Sequence, residues 1–328
     1  MWHNFIGSFG DRLSWCILGA FVLDLVFGDP QWLPHPVRIV GISATFLENG
    51  LVRCFGRNHF VGVVFTVLIV GGTWVATAAL VAFAWWWNWW AAMTVEILVL
   101  YTTLAARDLE HESRRVFKAL EQGDLPLARR NLSRIVGRDT ERLDEEEIVR
   151  ATVETVAENT VDGVVSPLFF AFLGGAPGAM TYKAINTLDS MVGHRTERYL
   201  HFGWASARLD DFANFVPARV SRLLFPVAAW ICRFDGAGCW RIVRRDGHNS
   251  PSPNAGIPEA AVAGALRVQL GGVNYYQGTR LFRPLLGDRL NPLHRNDVLR
   301  TTRLMYTVSI LTLIAGITAR SIACHVWS

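Results

Sequence analysis

Apolar residues in this chain are gathered into blocks. Three blocks are long and regular enough to cross a membrane: Phe60 to Ala84, Ala91 to Ala106 and Leu304 to Ala319. The first two are joined by the run WWWNWW, Trp85 to Trp90. Tryptophan prefers the boundary between hydrocarbon and water, so the run predicts a hairpin tip at one membrane face. The flanks of that hairpin then share the other face. Both carry arginine: Arg38, Arg53 and Arg57 before it, Arg107, Arg114 and Arg115 after it. The positive-inside bias makes that face cytoplasmic.

Other apolar segments are less regular. Leu13 to Phe27 contains Asp24 and lacks a small-x-small cleavage pattern, which predicts a retained membrane segment. Val164 to Met180 is interrupted by Ser166-Pro167 and by GGAPG, Gly174 to Gly178. Phe212 to Phe234 holds Pro217, Arg219, Arg222 and Pro226. Each of the last two either spans or dips in and returns. Broken backbone at membrane depth is tolerated only where protein or a wet cavity surrounds it.

The polar stretches between read as helices and loops. Asp124 with Pro126 signals a helix start and Gly137 a stop. Asp144 opens another helix with an acidic first turn, favourable to the helix dipole. HNSPSPNAG, His248 to Gly256, is a loop, followed by a helix from Pro258 to about Leu270. There is no strand series and no long-period repeat. The predicted fold class is all-α: a polytopic helical membrane protein with re-entrant or broken membrane segments. It forms one integral membrane domain over 1–328, with a polar helical cytoplasmic insertion at 107–162 and a polar cytoplasmic loop and helix region at 236–302.

Composition agrees. Of the 328 residues 51% are hydrophobic and only 18% charged, with a mean hydropathy of +0.24, unlike an ordinary soluble domain. A net charge of +4 is too mild for a nucleic-acid binder. The five cysteines form no C-x-x-C, which argues against a disulfide framework or zinc site.

Five constellations could carry chemistry. In DLVFGDPQWLPHPVRIVG, Asp24, Asp29, His35 and Arg38 sit near the membrane face, either as a rigid charged turn or as a site. A carboxylate inside an apolar segment favours function. VGRDT places Arg138 beside Asp139, as a structural ion pair or a phosphate contact. ENTVDG, Glu158 to Gly163, and INTLDS, Ile185 to Ser190, echo each other across the Val164 to Met180 segment. Glu154, Glu158, Asn159 and Asp162 precede that segment. Lys183, Asn186 and Asp189 follow it at i, i+3, i+6 on one helix face. Such groups are either helix-end caps or a polar site for Mg²⁺ and phosphates. ARLDDFANFVPAR carries Asp210, Asp211, Asn214 and Arg219. RRDGHNSPSPNAGIPEA carries Ser252 and Asn254 into a helix N-terminus, an anion site or a solvated loop. The chain has no Walker A loop, dinucleotide fingerprint, H-E-x-x-H or G-x-S-x-G.

Taken together, DLVFGDP…PHPVR, IVGRDT, VETVAENTVDGVVSPLFFAFLGGAPGAM, YKAINTLDSMVGH, SARLDDFANFVPAR and SPNAGIPEAAVAGALRVQLGG resemble the CobD/CbiB family, the adenosylcobinamide-phosphate synthases of cobalamin (vitamin B12) biosynthesis. The resemblance runs from about Trp15 to about Met305, with His194 standing where the family pattern expects Tyr. It implies an amide-forming carbon–nitrogen ligase in the cell membrane. Such an enzyme joins adenosylcobyric acid to (R)-1-amino-2-propanol O-2-phosphate, or to the aminopropanol, giving adenosylcobinamide phosphate or adenosylcobinamide. ATP and Mg²⁺ are implied as cofactors and a corrinoid as substrate. Partners are the lipid bilayer and other cobalamin-assembly membrane enzymes, with an oligomer compatible and no nucleic acid.

A carboxylate accepts an amine only after activation, which ATP can supply through an acyl phosphate. On this reading Glu154, Glu158, Asp162 and Asp189 handle Mg²⁺ or protons, with Glu158, Asp162 and Asp189 as metal ligands. Lys183, Arg138 and Arg219 contact phosphates. Asn159, Asn186 and Asn254 orient substrate, and Asp29, His35, Arg38, Asp210, Asp211 and Ser252 complete the binding set. If Val164 to Met180 simply spans, Lys183 to His194 lies on the side away from ATP. A re-entrant or broken element is therefore expected there. The competing reading is a membrane transporter for a corrinoid or metal ion, since intramembrane charges and broken helices also mark transporters.

Overall fold

The computed structural model describes residues 2–30, 35–194 and 196–327, so Pro34 and Arg195 lie outside the described residues. In chain order the elements are α1 (Trp2–Phe27), α2 (Pro36–Phe55), α3 (His59–Trp87), α4 (Trp89–Tyr101), α5 (Ala106–Glu121), α6 (Leu125–Leu132) and α7 (Glu145–Thr160). A π-helical turn (Val161–Val165) leads into α8 (Ser166–Val192). Then come α9 (Trp204–Ala213), α10 (Phe215–Ile231), α11 (Gly236–Asp246), α12 (Gly256–Leu266), β1 (Leu270–Tyr276), β2 (Thr279–Leu286) and α13 (Asn296–Trp327).

Four helical stretches are long and apolar enough to cross a membrane: His59–Trp87, Trp89–Glu121, Glu145–Val192 and Asn296–Val326. They contain the three spans read from hydropathy, and the chain is a helical membrane protein. The chain folds as two compact units. The first holds the described residues up to Ala105, Ser166–Asn214 and those from Leu313 on. The second holds Ala106–Val165 and Phe215–Thr312.

In the first unit, Asn88 makes the tryptophan-rich tip. It ends α3 and caps α4, its Oδ1 accepting from the Ala91 N–H at 2.8 Å. Trp86 and Trp90 stay exposed beside it, as an interfacial tip requires. The interrupted segment does break. Gly174 and Gly175 leave helical geometry inside α8, Gly175 at φ 60°, ψ −152°, which only glycine adopts readily. The arms 166–173 and 176–192 then fold back on each other. The rings of Phe170 and Tyr182 stack with centroids 5.2 Å apart. Along an unbroken helix the 1.5 Å rise would separate them by roughly 18 Å.

The break frees backbone groups, and charged side chains take them up. Glu96 of α4 accepts from the Ala176 N–H at 2.6 Å, at the positive end of the second arm. Arg320 of α13 donates to the Phe172 carbonyl at 3.2 Å, at the negative end of the first. A core of Val40, Ala44, Phe65, Met180, Leu188 and Phe202 packs α2, α3 and the second arm together.

The second unit is built on α12. Every residue from Gly256 to Leu266 is buried, including Glu259. A helix apolar on all sides must be surrounded, and here Ile148, Val153, Ile242, Val243, Val298 and Leu304 share its core. The expected start of α7 is a full capping box: Asp144 accepts from the Glu147 N–H at 2.8 Å and Glu147 from that of Asp144 at 3.0 Å. The start of α6 is as expected at Asp124, but the helix ends at Leu132, ahead of Gly137.

One feature departs from the all-helical expectation in detail. β1 and β2 form an antiparallel hairpin closed by Gln277 and Gly278, with φ of 50° and 76°. Paired positive φ values fit a two-residue turn that matches strand twist. Asp139 holds this turn, accepting from the N–H groups of Gln277 at 3.0 Å and Gly278 at 2.8 Å.

Candidate functional site

The sequence-derived candidates divide between the units. Asp29, His35, Arg38, Lys183, Asn186, Asp189, Asp210 and Asp211 belong to the first. Arg138, Glu154, Glu158, Asn159, Asp162, Arg219, Ser252 and Asn254 belong to the second.

In the first unit the returning arm of α8 supplies Lys183, Asn186 and Asp189, helical and in the expected phase. Asn186 donates to Asp210 Oδ1 at 3.4 Å, and Asn214 donates to Oδ2 at 3.1 Å. Asn214 is itself buried and accepts from Ser166 at 2.6 Å and from the Tyr182 hydroxyl at 2.9 Å. The start of the first arm and the body of the second therefore converge on one amide. Burial, and next the charge of Asp189, push Asp210 up to about 7; the bonds from Asn214 and Asn186 oppose this.

His35 caps α2, its Nδ1 accepting from the Val37 N–H at 3.3 Å, with Pro36 fixing the first turn. Its Nε2 lies 3.7 Å from Asp29 Oδ1. Burial lowers the His35 pKa, Asp29 opposes, and the positive charges of Lys183 and Arg38 lower it further. Asp29, Arg38 and Lys183 thus all act electrostatically on one imidazole. Asp211 faces a separate cavity of about 270 Å³, lined with His194, Tyr199, Trp204 and Arg208.

In the second unit Glu154 is the centre. It is 1% exposed. Arg138 contacts its Oε2 at 2.5 Å, the Gly271 N–H donates to Oε1 at 2.8 Å, and Arg150 lies 3.7 Å away. The ion pair read within VGRDT is thus partitioned differently. Arg138 pairs with Glu154 and donates to Asn274 Oδ1 at 2.8 Å, while Asp139 serves the hairpin turn. The Asn274 Nδ2 group is buried with no partner.

Glu158 lies one turn beyond Glu154 and within the field of Arg283, Glu154 and Arg138. Glu259 of α12 is 3% exposed and pairs with Arg283 at 3.3 Å. Burial, then the charges of Glu158 and Glu154, hold its carboxyl well above the usual range; Arg283 and Arg138 counter them. This is a cluster of carboxylates and guanidinium groups with Glu154 and Glu259 at its buried centre. Arg219 stands in a different arrangement, donating to Asn254 Oδ1 at 2.5 Å and to the Pro253 carbonyl at 3.4 Å. Ser252 Oγ accepts from the N–H of Asn254 at 3.3 Å, so the 248–256 loop is folded on its own polar groups. Asn159 donates to the Thr155 carbonyl at 3.0 Å, and Asp162 stands in the π-helical turn, a form frequent at functional sites.

Of the two echo motifs, ENTVDG includes the C-cap position of α7 at Val161 and INTLDS is wholly helical. INTLDS lies inside the second arm of α8, and ENTVDG runs from α7 into the π turn. Glu158 and Asp162 fall in one unit and Asp189 in the other. Among the described residues, no group of three or more His, Cys, Asp or Glu side chains could hold a metal unaided.

Sequence reading missed Tyr182, Asn274, Arg283 and Glu259 as site members. Only Glu259 carried a signal: a carboxylate within the apolar helix GIPEAAVAGAL, the same anomaly that singled out Asp24.

The CobD/CbiB protein family matches residues 17–305 of the chain. The cobalamin biosynthesis protein CobD of Geobacter metallireducens is 53% identical over 302 residues, covering 92% of this chain and 95% of that one. The cobalamin biosynthesis protein CbiB of Salmonella typhimurium is 49% identical over 311 residues, 94% of this chain and 97% of that one. No solved structure matches. With a family match along nearly its whole length and relatives near half identity, the chain belongs to the CobD/CbiB family.

Proposed function

We propose that this protein acts in cobalamin biosynthesis as an adenosylcobinamide-phosphate synthase of the cytoplasmic membrane. It would join adenosylcobyric acid to (R)-1-amino-2-propanol O-2-phosphate, or the free aminopropanol, at the expense of ATP. The observation that carries the reading is the carboxylate–guanidinium cluster built on the buried Glu154 and Glu259, with Glu158, Arg138 and Arg283 half-buried around them, in a chain of this family.

The donor chemistry suits ATP with Mg²⁺. Asn274 Nδ2 is an orphaned buried donor beside Arg138, a fit for an anionic oxygen. Mg²⁺ is commonly held by one or two carboxylates plus substrate phosphates, so a complete protein cage is not required. Glu158 and Asp162 would be those carboxylates. Bound ATP would supply the activation of the corrin carboxylate, its γ-phosphoryl group going to the carboxylate with release of ADP, and phosphate would leave when the amine forms the amide.

The chain's own residues do the rest. Arg138, Arg283 and Arg219 offer planar donor forks to phosphate oxygens. In the other unit, Lys183 and Arg38 offer cationic groups and the Asp189–Asp210 pair offers carboxylates. That pair would hold the ammonium of the amine substrate, and a carboxylate titrating near neutrality suits acceptance of its proton.

The test is ATP-dependent amide formation by the purified protein in detergent, with Glu158→Ala and Asp189→Ala assayed singly. Loss of turnover in both is expected. Near-normal turnover in both would overturn the residue assignment. Absence of amide product from the unaltered enzyme would favour the transporter reading.

A further inference from the structure

The broken tip of α8 borders a cavity that the proposed chemistry leaves unused. It measures about 320 Å³ and lies within the first unit. Two cations, Arg12 and Arg320, and one carboxylate, Glu96, line it, with Trp85 at its edge. Its remaining wall is apolar, including Leu13, Val81, Met93 and Leu173. The tip is eight residues along the first arm from Ser166, roughly 12 Å of helix away from the Asn214 network.

The polar side has a defined electrostatic order. Glu96 is engaged with the Ala176 N–H and Arg320 with the Phe172 carbonyl. Arg12 adds a further positive charge, so the cavity carries more cationic than anionic side chains. The apolar side opens outward: Leu173 is 68% exposed, and α3 presents Trp74, Leu80, Phe83 and Trp86 to its surroundings. Only 17% of the apolar window of α3 is buried by protein, so hydrocarbon must cover the rest. A phosphate-bearing head at interfacial depth, continuous with acyl chains, matches both sides. A small soluble anion matches only one.

We propose that this cavity is a phospholipid site, with the phosphodiester held between Arg12 and Arg320 and the acyl chains lying over Leu13, Val81 and Leu173. Basic pockets between membrane helices bind lipid head groups in this way. Binding there would brace the fold-back of α8 by filling the space beside its tip.

Native mass spectrometry of the full chain in detergent tests it, with dioctanoyl phosphatidylglycerol as one probe and inorganic phosphate as the other. One lipid per chain is expected to remain bound, with phosphate not retained. Arg12→Gln should weaken lipid binding by about tenfold, the scale of one charge-assisted contact. Val81→Trp, which fills the apolar side and leaves both arginines, should weaken it as well. No lipid retained by the unaltered protein, equal retention by both variants, or phosphate held as well as lipid would each overturn the proposal.

Discussion

Tyr182 donates its hydroxyl to Asn214 at 2.9 Å, tying the returning arm of α8 to the end of α9. Tyr182→Phe removes that donor while Ser166 still satisfies the acceptor. A loss of about 1 kcal/mol in unfolding free energy is expected. Asn214→Ala removes the shared acceptor of two buried hydroxyl groups and frees one side of Asp210, so its loss should be larger, about 2–4 kcal/mol. Denaturant unfolding in detergent measures both.

Glu154 and Arg138 form a buried pair that also anchors Gly271 and Asn274. Glu154→Ala removes the carboxylate in direct contact with Arg138 and the acceptor of the Gly271 N–H, at a cost of about 3–5 kcal/mol. Pairing Glu154→Leu with Arg138→Met removes both charges and should restore most of that stability while leaving amide formation abolished. Thermal unfolding and turnover, measured on the same preparations, separate the structural from the chemical share.

Asp210 carries a pKa raised from 3.8 to about 7. The folded state therefore binds more protons than the unfolded state between those values. Stability from this group falls as pH rises from about 4 to about 7, then levels off. Asp210→Asn removes the titration. The variant should be the more stable protein above pH 7, and the difference should shrink steadily towards pH 4. Unfolding midpoints across that range are the measurement.

The fold-back of α8 also makes a topological prediction. In a cysteine-free background, a cysteine at Ser190 should resist an impermeant maleimide applied to intact cells, because the arm returns to the side from which it left. A cysteine at Asn88, in the tryptophan tip, should label. Strong labelling at Ser190 would contradict the expectation that the Lys183 to Asp189 face is cytoplasmic.

The sequence made the membrane helices readable because hydropathy acts locally and the Trp85 to Trp90 run marks an interface by composition alone. It made the break in α8 readable because Gly174, Gly175 and Pro177 each oppose a continuous helix. The β hairpin was hidden: Gly271 and Gly272 create a register shift, and Pro284 and arginines interrupt the alternation of β2. Only Gln277-Gly278 hinted at a turn. The helical phase of Lys183, Asn186 and Asp189 could be read from spacing. The partners of Arg138 and Glu259 could not, because residues far apart in sequence meet there only through tertiary folding.

The tip of α8 has a chronology. A chain emerges from the ribosome N-terminus first. Glu96 is therefore on hand as soon as the second arm needs an acceptor for the Ala176 N–H. Arg320 is made long afterwards, so the Phe172 carbonyl must wait for its donor until α13 is nearly complete. A nascent chain ending before that helix would contain every candidate site residue and still lack the last bond at the tip, making the closing of this hairpin a late step in the birth of the protein.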